Sequence, residues 1–183
     1  MSEDSEFMLK AAEGDQAAFE TLMERWEVPV RRFMGRMLQN AAEADDLAQA
    51  TFVRVWQDRA LFKAPTEFRP WLLRAAAELA RERLHWWRGR PSVALEPWLE
   101  AIGENPPEEP LSEGEIVVRE RAKAVQLAVA RLPPALREVA VLFEFEGIPQ
   151  AEIAVIMGRS PKAIEAKLVR ARTALRASLA NVD

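Results

Sequence analysis

The chain has 183 residues, 49% hydrophobic and 30% charged, which suits one or two folded domains and excludes a disordered chain. It has no cysteine, so disulfides and thiolate metal sites are excluded, and a reducing compartment fits. A net charge of −4 argues against indiscriminate nucleic-acid binding.

The N-terminal stretch MSEDSEFMLKAAEGD is acidic and lacks the apolar core of a signal peptide. No apolar run approaches a membrane span, so a cytoplasmic protein without membrane insertion is expected. Strand signals are scarce: there is no Tyr and no Asn-Gly or Asp-Gly hairpin turn. A first helix is expected over Glu6–Glu13, stopped by Gly14. Asp15 can cap the next, Gln16–Leu38, with Phe19, Leu22, Met23, Trp26, Val30, Phe33, Met34 and Met37 inward. Pro29 should kink or split it. A third helix is expected over Ala44–Leu61, its acidic start favoured by the helix dipole. Leu47, Ala48, Phe52, Val55 and Trp56 can face a core there, and Asp45, Asp46, Gln49 and Gln57 can face outward. Phe62–Pro70 reads as a loop in which Thr66 is a cap candidate, and Trp71–Trp87 as a fourth helix.

Residues 91–111 hold five prolines, and Pro91–Gly114 carries six glutamates and no basic residue, the composition of a linker. Beyond it the balance reverses, with 11 basic against 8 acidic residues over Glu115–Asp183. Ser112 and Glu115 have capping-box spacing for a helix to about Arg131, which Pro133 and Pro134 stop. Ala135–Glu146 is the next expected helix, ended by Gly147. Pro149–Ala180 then parses as helix, turn and helix. Gly158 can take the left-handed conformation of a helix end, Ser160 can cap, and Pro161 fits the first helical position. Ile164, Leu168, Ala171, Leu175 and Leu179 form one apolar stripe, and Lys167, Arg170, Arg172 and Arg176 lie mostly off it. A cationic helix backed by a shorter one is the plan of a DNA-binding helix-turn-helix. The expected fold is therefore all-α: two small helical domains, 1–90 and 112–183, joined by an acidic, Pro-rich linker at 91–111, with no internal repeat.

Two motif blocks carry a resemblance. GDQAAFETL, ADDLAQATFVRVW and FRPWLLRAA resemble region 2 of bacterial RNA polymerase sigma factors of the extracytoplasmic-function (ECF) group. LPPALREVAVLFEFEGIPQAEIAVIMGRSPKAIEAKLVRARTALR resembles their region 4. The resemblance implies a promoter-specificity subunit whose region 2 binds the polymerase clamp helices and opens the minus-ten element, and whose region 4 reads the minus-thirty-five element. The implied partners are core RNA polymerase, through clamp helices and flap, and promoter DNA. ECF factors are commonly held by an anti-sigma factor, which leaves such a partner open here.

Residue by residue, the resemblance puts Asp46 and Gln49 on the polymerase, with Asp45 and Arg54 as neighbours. Lys63, Arg69, Arg74, Arg81, Arg83, Arg88 and Arg90 supply charge where the family captures the minus-ten strand, with Trp86 and Trp87 as stackers and Trp71 as a core anchor. Family positions often held by Asn, Asp and Arg are Glu78, Glu82 and His85 here; a glutamate repels phosphate but can accept from a cytosine amino group. In region 4, Lys162, Lys167 and Arg170 are the expected base or phosphate contacts, Glu165 replaces a usual basic residue, and Ser160 and Arg137 are expected phosphate contacts. Arg172 is expected to brace the domain, and Glu144 and Glu146 to lie on a solvated or polymerase-facing patch. No nucleophile–base pair, phosphate-cradling loop or metal cluster is present, so no catalysis or cofactor is expected. The acidic balance and substituted minus-ten helix leave one alternative: a sigma-like regulator without initiation activity, either a mimic that sequesters an anti-sigma protein or a DNA-binding repressor.

Overall fold

The computed structural model describes residues 1–87 and 113–180. The linker segment 91–111, Arg88 and the Ser112–Glu115 capping box lie outside the described residues or side chains. Among the described residues there is no strand, and eight α-helices form two compact units, each built on its own core. The short segment Gly35–Ala41 groups with the second unit, which no sequence feature marks.

The first unit holds α1 (Glu3–Ala12), α2 (Gln16–Leu38) as far as Met34, α3 (Ala41–Gln57) from Ala42 onward, and α4 (Phe68–Trp87). Helix α1 starts three residues earlier than expected because Ser2 caps it, its hydroxyl accepting the Ser5 N–H at 3.4 Å. Asp15 caps α2 as its position implies, accepting the Ala18 N–H at 3.0 Å. Pro29 sits inside α2 without splitting it; Val30, Phe33 and Met34, all fully buried just beyond it, hold the helix by packing. Each such side chain contributes about 1.5–3 kcal/mol through burial. Met23, expected inward, is 39% exposed. Helix α3 stops at Gln57 and yields to a 3-10 turn over Arg59–Leu61. Arg59 sits at the break: its Nη1 donates to the Trp56 carbonyl at 2.7 Å and its guanidinium lies over the Trp56 ring at 4.1 Å. Phe62, Phe68 and Trp71 interlock edge to face, Phe62 at 6.4 Å from Phe68 and 5.2 Å from Trp71.

The N-terminus of α4 is not capped by Thr66. The Phe68 N–H donates to Ser5 Oγ on α1 at 2.9 Å, a cap supplied from 63 positions away. Arg25 of α2 closes the other side of α1 through Glu3 (2.8 Å) and Asp4 (2.9 Å), and the Trp26 indole donates to Asp4 at 2.9 Å.

The second unit holds α5 (Glu113–Ala130), α6 (Pro134–Ala140), α7 (Gln150–Met157) and α8 (Pro161–Leu179). Helix α6 widens into a π turn at Val141–Phe145, and Gly147 follows at φ +61°. Helix α8 packs on α5, α6 and α7. Ile164, Leu168 and Ala171 are buried, as are Val139 and Leu142 in the segment before Gly147 and Ile153 and Ile156 on α7, while Leu175 and Leu179 are half-buried at the stripe's end. Between α7 and α8, Gly158 is left-handed at φ +60°, Ser160 Oγ accepts the Ala163 N–H at 3.3 Å, and Pro161 opens α8.

Candidate polymerase and promoter interfaces

Helix α3 divides by face. Leu47, Ala48, Phe52 and Val55 are buried, and Asp45, Asp46, Gln49 and Gln57 are exposed. Asp45 lies 3.8 Å from Arg31 of α2. Beside them, α2 and α3 enclose a groove of about 1010 Å3. Its apolar floor includes Phe19, Met23 and Val53, the last 56% exposed. Its rim carries Glu20, Glu24, Glu27 and Asp45, the last paired with Arg31, which also lines it. Met23, Val53 and the three glutamates were missed from the sequence, although Glu20, Glu24 and Glu27 share the spacing of one helix face. An apolar floor with an acidic rim suits an amphipathic helix whose polar side is basic.

Arg54 does not join this face. It reaches Asp58 at 3.2 Å and Glu78 at 3.8 Å, because its helical position points toward α4 rather than α2. There it lines a second pocket, of about 240 Å3, with Leu61, Trp71, Arg74, Ala75 and Glu78. Leu61 is 73% exposed at its edge. Glu78 also meets Arg74 at 3.1 Å, so its carboxylate lies between two guanidinium groups. Trp71 both braces Phe62 and presents a half-buried ring to this pocket.

The remaining α4 candidates spread along the exposed side of the helix, opposite Leu72, Leu73, Ala76, Ala77 and Ala80. Arg69, Arg74, Glu82 and His85 are exposed, and Glu78 and Arg81 are half-buried. Lys63 is exposed on the loop. Trp86 is 55% exposed, with the Arg83 guanidinium 5.9 Å from its ring centre; Arg83 itself pairs with Glu43 of α3. The Trp87 side chain, Arg88 and Arg90 lie outside the described residues or side chains.

In the second unit, Ser160, Lys162, Glu165 and Arg170 are exposed on α8 or its cap, and Lys167 is half-buried beside the apolar stripe. Val169, absent from the sequence-based candidates, is 59% exposed between Glu165 and Arg170. Its signal was an apolar residue standing off the stripe. Arg172 braces the unit, donating to Glu144 at 2.7 Å and lying 5.1 Å from the Phe143 ring centre. Glu146 is buried, contrary to expectation, since the wider π turn before it rotates the residues that follow.

Arg137 is also a correction. It is 7% exposed, and its Nη2 donates to the Ala130 carbonyl at 2.8 Å and the Leu132 carbonyl at 3.0 Å. These bonds satisfy carbonyls at and after the end of α5, so the guanidinium joins α5 to α6 and is not presented to phosphate. Burial pulls its pKa down to about 10.

The family model for sigma-70 region 2 matches residues 22–100, and that for sigma-70 region 4 matches residues 122–175. The chain is 31% identical to the RNA polymerase sigma factor NccH of Alcaligenes xylosoxydans xylosoxydans, over 97% of this chain and 95% of that protein. It is 32% identical to the probable RNA polymerase sigma factor RfaY of Xanthomonas campestris, over 92% of this chain but only 42% of that longer protein. Among solved structures, CnrH in complex with the cytosolic domain of CnrY superposes with a TM-score of 0.69 at 27% identity, covering 96% of both chains. Two helical units, a turn that presents α8, and both region matches in order lead to one conclusion: the chain belongs to the sigma-70 family, in its ECF group, and is an RNA polymerase sigma factor of transcription initiation.

Proposed function

We propose that the groove between α2 and α3, with Asp45, Asp46 and Gln49 beside it, receives a basic amphipathic helix of core polymerase, the clamp helices by family analogy. The exposed side of α4 and the loop before it then hold the minus-ten strand, and the 240 Å3 pocket at Leu61, Trp71 and Glu78 receives one unstacked base. Helix α8 enters the minus-thirty-five major groove through Lys162, Glu165, Lys167, Val169 and Arg170. The reading rests above all on the acid-rimmed groove, which joins exposed apolar surface to a charge pattern opposite to that of a basic partner.

The subunit positions and opens DNA and carries no catalytic residues of its own. It works in the cytoplasm with polymerase and DNA; no helix among the described residues is long and apolar enough to cross a membrane. The relative CnrH is solved in complex with the cytosolic domain of CnrY, which supports a protein partner here too, an anti-sigma factor by family analogy. Run-off transcription with purified core polymerase tests the reading. A promoter-dependent transcript that requires this chain is expected. Tight core binding with no transcript from any genomic promoter would instead indicate a sigma-like regulator.

A further inference from the structure

The loop at residues 58–67 is fixed at three places. Arg59 ties its start to the Trp56 carbonyl. Phe62, 2% exposed, anchors its middle against Phe68 and Trp71. Its end is held from α1. Ser5 Oγ donates to Glu67 Oε2 at 2.8 Å and accepts the Phe68 N–H at 2.9 Å; Ser2 Oγ donates to the same Glu67 oxygen at 2.7 Å, and the Ser2 N–H at 3.2 Å. Ser5 is fully buried, so its bond with the Phe68 N–H is shielded from water, while Ser2 and Glu67 lie at the surface. Between the anchors, Leu61 and Lys63 project outward.

We propose that α1 is a positioning element for DNA opening: Ser2 and Ser5 grip Glu67 and thereby set where the loop presents Leu61 and Lys63 to the unpaired strand. The inference rests on the reading of that loop as a minus-ten contact. Neither serine touches DNA in this scheme; each acts through Glu67 and the first N–H of α4. Three donors converge on one carboxylate oxygen, which also holds the Glu67 carboxyl down to about 2, so the grip stays charged at any working pH. Misplacement of a recognition loop by about 1 Å is enough to slow a dependent step severalfold or more. The α2–α3 groove involves none of these residues, so polymerase binding should not share the loss.

The test uses full-length chain, core polymerase and a promoter that the wild-type holoenzyme transcribes. Open complex is read by permanganate reactivity of unpaired thymines, core affinity by titration, and folding by thermal melting. Glu67→Ala and Ser5→Ala should each reduce opening about tenfold while core affinity stays within about twofold. Glu67→Gln keeps an acceptor oxygen and should recover most of the opening. Glu67 lies at the surface, so Glu67→Ala remains informative even if Ser5→Ala fails to fold. Lys63→Ala separates the two levels of the argument. If Lys63→Ala is defective and Glu67→Ala opens DNA like wild type, the grip has no positioning role and the inference is overturned. If both open like wild type, the inference falls together with the loop's assignment to the minus-ten strand. A parallel loss of opening, core affinity and melting temperature in Glu67→Ala would also overturn it, since that pattern marks a merely structural bond.

Discussion

The Arg54 guanidinium of α3 lies 3.8 Å from one oxygen of Glu78 on α4, and Arg74 reaches the other at 3.1 Å. Glu78 stands where the family often has asparagine, and an unpaired carboxylate there would repel the DNA backbone. Flanked by two cations, it remains a hydrogen-bond acceptor whose charge is locally offset. This pocket should favour a base that donates, such as cytosine through its amino group. Glu78→Gln, which adds donors, should shift preference at one minus-ten position by about 1–3 kcal/mol. Competitive transcription across minus-ten variants measures it. An unchanged base preference would mean that Glu78 reads no base.

Helix α8 gives a second prediction, about charge. Lys162 and Arg170 are exposed, and Lys167 flanks the buried stripe. Replacing one that touches phosphate should weaken all duplexes alike and lower the salt slope by about 1; replacing one that touches a base edge should cost about 1–3 kcal/mol and relax one position. Titration of minus-thirty-five duplexes at several salt concentrations separates the two. Unchanged affinity for Lys162→Ala, Lys167→Ala and Arg170→Ala together would remove α8 from the interface.

Arg137 should behave differently. Its Nη2 donates to the Ala130 and Leu132 carbonyls and its Nη1 to the Met37 carbonyl at 2.6 Å, a reach from two nitrogens that the single ammonium of lysine cannot reproduce. Arg137→Lys should therefore destabilise the second unit by about 1.5–3 kcal/mol, read by denaturant unfolding. The salt slope of DNA binding, measured where the variant is still folded, should not change. A lower slope with normal stability would restore the phosphate role expected from sequence.

The fold was legible because helix signals are local. Gly158, Ser160 and Pro161 mark the turn before α8, and Ile164, Leu168 and Ala171 mark its inner side; all of them act within a few residues. Asp45, Asp46 and Gln49 were legible for the same reason, since the buried residues between them define their face. What escaped was tertiary. Nothing local to Phe68 shows that its N–H is accepted by Ser5, and nothing local to Arg137 shows which carbonyls surround it. The π turn at Val141–Phe145 changes helical phase in a way that no local residue announces, and Glu146, expected on a solvated or polymerase-facing patch, is buried after it. The groove floor at Met23 and Val53 was missed because it needs two helices side by side.

Acid should reveal the grip on Glu67. Its folded pKa, about 2, lies below the ordinary value of 4.5. A depressed carboxyl stabilises the fold fully above the ordinary value and loses that contribution as pH falls through its folded value. The stability difference between wild type and Glu67→Gln should thus be flat above about pH 5 and shrink progressively between about 4.5 and 2. Unfolding curves at stepped pH test this. A difference that did not vary with pH would show that Glu67 is not held by these serines in solution.

Polymerase binding should depend most directly on the acidic face of α3. Titrating core polymerase with wild type and with Asp46→Arg tests that face alone, since Asp46 is exposed and its replacement leaves the core intact. A charge reversal against a basic partner should weaken binding at least about tenfold, with the loss growing at low salt, while thermal stability stays near that of wild type. Equal affinity of the two proteins for core polymerase would contradict the account.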